Sequence, residues 1–223
     1  LDRNLREIWR KPFALPRGFS LAEARYSNNH LVGFWHAVKG NASENLRIVD
    51  LNVKDSTIRE VSYTVPEKSE LSHFGICNHF ALAGLNTKND QSMLIRYDLT
   101  SGAVTSINQD VEGNVVIESM NIDADSGVVS TILRTTGSSK QRAYYLVKSD
   151  RSGQKVSELK LGKFDDKNLI NTAFSLKIDS GSDLIIGSYG NSSRTKVIDG
   201  YESVGVASTG FFSILVQNNA IVN

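Results

Sequence analysis

Apolar runs broken by short polar clusters recur along the whole chain. The stretch "MLIRYDLTSGAVTSI", Met93 to Ile107, shows the unit: an apolar run, Asp98, the polar pair Ser101 and Gly102, then a second apolar run. Apolar runs bounded by Asp, Ser and Gly predict two strands joined by a hairpin turn. The same order of events appears in "NLRIVDLNVKDSTIREVSYTVP" from Asn45 and in "RAYYLVKSDRSGQKVSELKL" from Arg142. Asp50, Asp98 and Asp150 stand 48 and 52 residues apart, so the hairpin is one copy of a repeat.

The residues between the hairpins repeat as well. Upstream of each lies a strand-like run ending in a small polar loop: "HLVGFWHAVKGN" from His30, "HFALAGLNTKND" from His79, "GVVSTILRTTGSSK" from Gly127 and "DLIIGSYGNSSR" from Asp183. Before those come "FSLAEARYSNN" from Phe19, "SHFGICN" from Ser72, "NVVIESMNIDADS" from Asn114 and "LINTAFSLKIDSGS" from Leu169. Their closing Asn, Asp and Gly residues favour tight turns, because they tolerate positive φ or bond their own backbone. Four strands per period follow, here lettered a to d. The fourth unit ends in "GFFSILVQNNAIVN", which supplies strand c and only the start of a strand d.

A four-strand antiparallel unit repeated every forty to fifty residues or so is the pattern of a β-propeller blade. "YDLTSGAVTSI", Tyr97 to Ile107, resembles the c–d hairpin common across propeller families, and "SDRSGQKVSEL", Ser149 to Leu159, has a similar look. The resemblance implies an all-β, β-propeller-like fold with four blade-like repeats of about 50 residues, in a closed small ring or as a segment of a larger propeller. The repeats cover residues 18–66, 67–112, 113–165 and 166–223 of one domain, with 1–17 as a closing strand. On this frame "REIWRKPFALP" pairs with the strand containing "FFSILV", placing Ile8 or Trp9 beside Phe211 or Phe212. A β-sandwich built from similar hairpins is the rival fold. The marks of WD40, kelch and sialidase repeats are missing, so the resemblance implies no known reaction.

Composition narrows function mainly by exclusion. Twenty-five Lys and Arg against 24 Asp and Glu leave a net charge of +1 on 223 residues, which offers no field to draw nucleic acid or an anionic membrane. No run of about 18 apolar residues is present, so no membrane insertion is expected. Cys77, the single cysteine, forms no internal disulfide and reads as a small core hydrophobe. The chain starts at Leu1 rather than Met, which points to a processed or trimmed piece and leans its location toward the extracytoplasmic side. The remainder of a larger parent chain is then among its expected partners.

Candidate chemistry is sparse. His30 and His79 read as recurrent turn-capping residues, while His36 and His73 are too few for a stable zinc site. No metal and no cofactor is expected. Strand a is innermost in a propeller, so Glu23 and Glu118 are candidate channel carboxylates for a glycan-directed hydrolase, with Arg25 near enough to pair with Glu23. Asn41 and Asn191 satisfy the N-glycosylation pattern and mark exposed b–c loops. The fourth b–c connection, Gly190 to Gly210, is much longer than its counterparts, and long loops in compact domains are commonly functional.

The expected function is a non-enzymatic binding or assembly module for a protein or glycan ligand. Its site is the face carrying the d–a and b–c loops, with Arg17, His36, Lys39, Arg142, Asp165, Tyr189, Arg194 and Tyr201 as binding residues. The alternative is the hydrolase with Glu23 and Glu118.

Overall fold

The computed structural model describes residues 14, 17–38, 45–66, 69–87, 91–136, 143–161, 169–179, 181–191, 196–198, 201–203 and 207–222. Among them there is no helix, and so none long and apolar enough to cross a membrane. Four antiparallel sheets of four strands follow one another along the chain. The first contains β1 (Phe19–Ser27), β2 (His30–Ala37), β3 (Leu46–Asn52) and β4 (Thr57–Tyr63). The second contains β5 (Glu70–Ile76), β6 (Phe80–Asn86), β7 (Ser92–Asp98) and β8 (Val104–Asn108). β9 (Val115–Ile122), β10 (Val129–Thr135), β11 (Tyr144–Ser149) and β12 (Lys155–Leu161) form the third. The fourth has β13 (Leu169–Lys177), β14 (Ser182–Asn191), β17 (Ala207–Gln217) and β18 (Ala220–Val222), with the hairpin β15 (Lys196–Ile198) and β16 (Tyr201–Ser203) inserted between β14 and β17.

Turn chemistry sets the hairpins. Asn28, Asn29, Asn218 and Asn219 all have positive φ, the geometry a two-residue hairpin turn needs to match strand twist. In the second and third sheets the c–d turn is tied by an aspartate. Asp98 Oδ1 accepts the backbone N–H groups of Thr100 and Ser101, and Asp150 Oδ1 accepts those of Ser152 and Gln154. The bond from the Ser152 hydroxyl helps hold the Asp150 carboxyl below the usual carboxylate range. In the first sheet Asn52 takes this place, its Oδ1 accepting Lys54 N–H.

Asp50 therefore does not share the role of Asp98 and Asp150, although the spacing of the three aspartates implies it. It lies inside β3, 2% exposed, where Oδ1 is 2.8 Å from His30 Nδ1 and Oδ2 accepts the Tyr97 hydroxyl of the second sheet at 3.0 Å. Burial and then the Asp50 charge push the Tyr97 hydroxyl far above its usual value. His30 opens β2, whereas His79 stays in the turn before β6 and its carbonyl accepts Leu99 N–H, as that of Asn29 accepts Val53 N–H. The two histidines are one place out of step.

The sheets stack through their innermost strands, β1 against β5, β5 against β9 and β9 against β13. Each interface has its own apolar core. Val32, Phe34 and Ile48 meet Ala83 and Ile95; Leu82 and Leu94 meet Leu133 and Tyr145; Ile132 and Leu146 meet Ile185 and Phe212. Cys77 is buried in the second core. The outer strand of one sheet also grips the c–d turn of the next: Arg59 of β4 donates to Thr100 O at 2.9 Å, and Ser157 of β12 to Asn219 Oδ1 at 3.0 Å. This is a β-propeller-like array of four blade-like repeats.

The array does not close among the described residues, since no comparable packing links the fourth sheet to the first. Its two outer faces are apolar. The alternation that fully buries Phe34 in β2 and Ile132 in β10 continues in β14 as Ile186, which is 37% exposed. Phe174, Leu176 and Phe211 are exposed beside it, and Leu21, Tyr26 and Leu31 are exposed on the first sheet. The fourth sheet makes a short d strand of its own, because β18 pairs with Leu215 to Gln217 of β17. The pairing expected of "REIWRKPFALP", with Ile8 or Trp9 beside Phe211 or Phe212, lies outside the described residues.

Candidate functional site

Every innermost strand carries a β-bulge two or three residues after its start. The pairing skips Ala22 in β1, Ser72 in β5, Glu118 in β9 and Asn171 in β13. A bulge leaves a residue out of the ladder and re-aims the side chains around it. It also frees a carbonyl that must find another partner when half-buried. The preceding sheet supplies that partner in two cases: His73 Nε2 lies 2.9 Å from Glu118 O, and the Tyr144 hydroxyl donates to Asn171 O at 2.6 Å.

The junction between the second and third sheets builds a polar cluster. A carbonyl only accepts, so Nε2 of His73 carries the proton and Nδ1 accepts the Ser72 hydroxyl at 2.8 Å. Burial lowers the His73 pKa below the usual histidine value, which keeps the ring neutral for this arrangement. Asn86, the last residue of β6, clips β9 with both ends of its amide, donating to Ile117 O at 3.2 Å and accepting Ile117 N–H at 2.8 Å. Glu118 projects from the bulge to an ion pair with Arg134 of β10. Together Glu70, His73, Asn86, Thr87, Glu118 and Arg134 line a cavity of about 470 Å³.

Of the described residues expected at a site, Glu118 alone lines this cavity. Glu23 sits one residue past the β1 bulge, with Arg25 Nε 3.8 Å away, and is not part of the lining. Arg17 and His36 are exposed at the same end of the first sheet, where Val38 N–H donates to Gly18 O. Tyr189 is partly buried and packs against the third core. Lys39, Arg142, Asp165 and Arg194 lie outside the described residues, and of Tyr201 only its place in β16 is described. In the long fourth connection, β14 and β17 extend their pairing to Asn191 and Ala207 before the tip hairpin begins.

Ser72, Asn86 and Arg134 carry the cluster without having stood out as candidates. Asn86 ends its b strand and Arg134 stands one residue before the end of its own, each closing an apolar run, "LAGLN" and "ILR", and a polar residue closing such a run is the signal available for them. Among the described residues no group of three or more His, Cys, Asp or Glu side chains is placed to hold a metal ion.

No protein-family model matches the chain, and no characterised protein matches its sequence. Solved structures do match its fold. It is similar to the β-propeller domain of the Trilobed protease from Pyrococcus furiosus, with a TM-score of 0.57 at 13% identity over 92% of this chain and 57% of that one. The acylaminoacyl peptidase of Pyrococcus horikoshii also has a TM-score of 0.57, at 9% identity over 92% of this chain and 32% of that one. An ulvan lyase of a polysaccharide lyase family has a TM-score of 0.55, at 9% identity over 87% of this chain and 50% of that one. The chain thus spans about a third to somewhat over half the length of these proteins, and the likeness is one of fold.

Proposed function

We propose that the chain is a non-enzymatic binding and assembly module whose ligand is a glycan, taken up on the edge that carries the d–a and b–c loops. The observation that supports this most is the pairing inside the cavity: its carboxylate at Glu118 is held by Arg134, and its histidine is committed on both nitrogens. The histidine fixes the bulge, while the Glu118 carboxylate and the Arg134 guanidinium, paired through one oxygen and Nε, have further lone pairs and N–H groups with which to bond hydroxyls. The carboxylate pair expected of a hydrolase does not meet here, since Glu23 does not line the cavity; Glu70 is the second carboxylate in its wall, and Glu118 is tied to Arg134. The test is retention on immobilised oligosaccharides. Arg134→Ala frees the Glu118 carboxylate to turn away, and is expected to weaken retention about tenfold, the scale of one charged hydrogen bond. Unchanged retention would remove the cavity from the site. Capture of a protein ligand alone would overturn the glycan reading, and cleaved sugar products would establish the hydrolase.

The assembly part rests on the outer faces. Ile186 is exposed at a repeat position that is fully buried at two internal junctions, and Phe211 beside it is 87% exposed. The fitting occupant is another four-stranded sheet continuing the ring, in keeping with the partial coverage of the similar propeller domain. Phe211→Asp should then change the stability of this chain alone by less than about 0.5 kcal/mol, as surface substitutions do. In the longest natural chain containing this sequence it should cost about 3–5 kcal/mol, as a core aromatic does. Equal small effects in both chains would show that the face is solvent-exposed in each.

A further inference from the structure

A second cavity, of about 240 Å³, lies where the segment between β8 and β9 crosses the start of β7. Two side chains in its wall are more than nine-tenths buried, Ser92 at 6% and Gln109 at 7% exposure. Neither Ser92 Oγ nor Gln109 Oε1 has a hydrogen-bond partner among the described residues. The backbone of Gln109 is engaged, donating to Ser92 O at 3.4 Å and accepting Val111 N–H at 2.9 Å, so the orphaned oxygen belongs to a fixed strap. An unsatisfied buried polar atom costs about 1–3 kcal/mol, and native structures leave few of them. Two in one wall point to an occupant.

The lining indicates its chemistry. Liquid water takes about 30 Å³ per molecule, so the space exceeds what one bridging water needs. Besides Ser92 and Gln109, the polar wall consists of Gln91, Asn108, Asn114 and Asp110. No Lys, Arg or His lines it among the described residues, which disfavours an anion. A single carboxylate is a poor cage for a cation. Amides offer donors and acceptors together, matching hydroxyl groups that both donate and accept. Met93, Val111 and Val115 supply an apolar surface for the C–H side of a ring. We propose that this cavity is a subsite for a neutral sugar residue, recognised by the Ser92 hydroxyl and the Gln109 side-chain amide.

The inference deepens the glycan reading. Val115 lines this cavity while its neighbour Val116 lines the one beside Glu118, so consecutive residues of β9 separate two positions for one saccharide chain. The test is an NMR titration of the whole chain with the methyl glycosides of glucose, galactose, mannose and xylose. At least one is expected to shift the Gln109 side-chain amide and the Ser92 backbone amide in a saturable way. Gln109→Leu and Ser92→Ala should each weaken that binding about tenfold or more. Neither should lower the melting temperature, because each removes an unsatisfied polar atom. Absence of shifts with all four glycosides would overturn the subsite, as would equal affinity in both variants. Shifts confined to His73 and Asn86 would also overturn it, yet would leave the glycan reading of the first cavity standing. Failure of the oligosaccharide retention described above, with no shift at either cavity, would sink both.

Discussion

Lys148→Met is expected to be the most destabilising single change outside the apolar cores, lowering unfolding free energy by about 3–5 kcal/mol in urea titration. Asp183 of β14 is fully buried, and Lys148 of β11 places Nζ 2.6 Å from its Oδ2 across the third sheet junction. Removing the ammonium leaves a carboxylate in the interior with weak compensation. The Ser130 hydroxyl donates to Asp183 Oδ1 at 3.3 Å, and Lys177 Nζ is 3.9 Å away, too far for a good hydrogen bond. Lys177 softens the loss, so the lower end of the range is expected. Replacing both partners, Lys148→Met with Asp183→Leu, should recover most of the stability, since a well-packed apolar pair avoids the desolvation cost of two ions. A single variant costing under about 1 kcal/mol, no more than an exposed pair contributes, would show that the ion pair does not hold the junction.

Phe34→Ala carries the second large effect, about 3–5 kcal/mol, because it empties a fully buried aromatic site in the first sheet junction. The Phe34 ring packs 5.6 Å, centroid to centroid, from Phe74 of β5. Each junction has a separate core, so the damage should stay local. Hydrogen exchange should show protection lost first in β2 and β3, while β10 and β14 retain theirs. Uniform loss across all four sheets would mean that the array unfolds as one cooperative unit, and would contradict junction-by-junction stability.

Much of the fold was legible in the chain. Asn28-Asn29 and Asn218-Asn219 take positive φ wherever they sit between two apolar runs, and Asp98 and Asp150 bond backbone groups only two to four residues away. Such interactions are local, so they can be read locally. Asp50 shows where the method slips. It matches the period of the other two aspartates but stands two residues short of the turn, on the same face as Asn52 and inside the strand, where its carboxylate meets side chains instead of turn backbone. A difference that small separates a turn cap from a buried acceptor for the Tyr97 hydroxyl, 47 residues away.

The candidate site was legible only in part. Strand a does make the inner contacts between sheets, and Glu118 lines a cavity at one of them. The partner expected for it was Glu23, a carboxylate from another repeat, whereas the structure gives it Arg134 from the adjacent strand of its own sheet. The bulge is responsible. It inserts Glu118 as an extra residue in β9, shifting which side chains face the cavity, and no pattern of apolar and polar positions announces it.

The sequence by itself determined the period, the four-strand unit, the hairpin turns and the apolar stripes of each sheet, because alternation and turn sterics act over a few residues. Tertiary structure alone decided which polar groups meet. Ser92 and Gln109, neighbours in one hairpin, gain the β9 side of their cavity, His73 reaches Glu118 O, and Lys148 meets Asp183 only once separate sheets are stacked. Those meetings depend on the angle and stagger between sheets, set by the packing of whole cores such as Leu82 and Leu94 against Leu133 and Tyr145. Stacking energy is spread over many weak contacts that no single segment encodes, and the polar chemistry of the junctions follows from it.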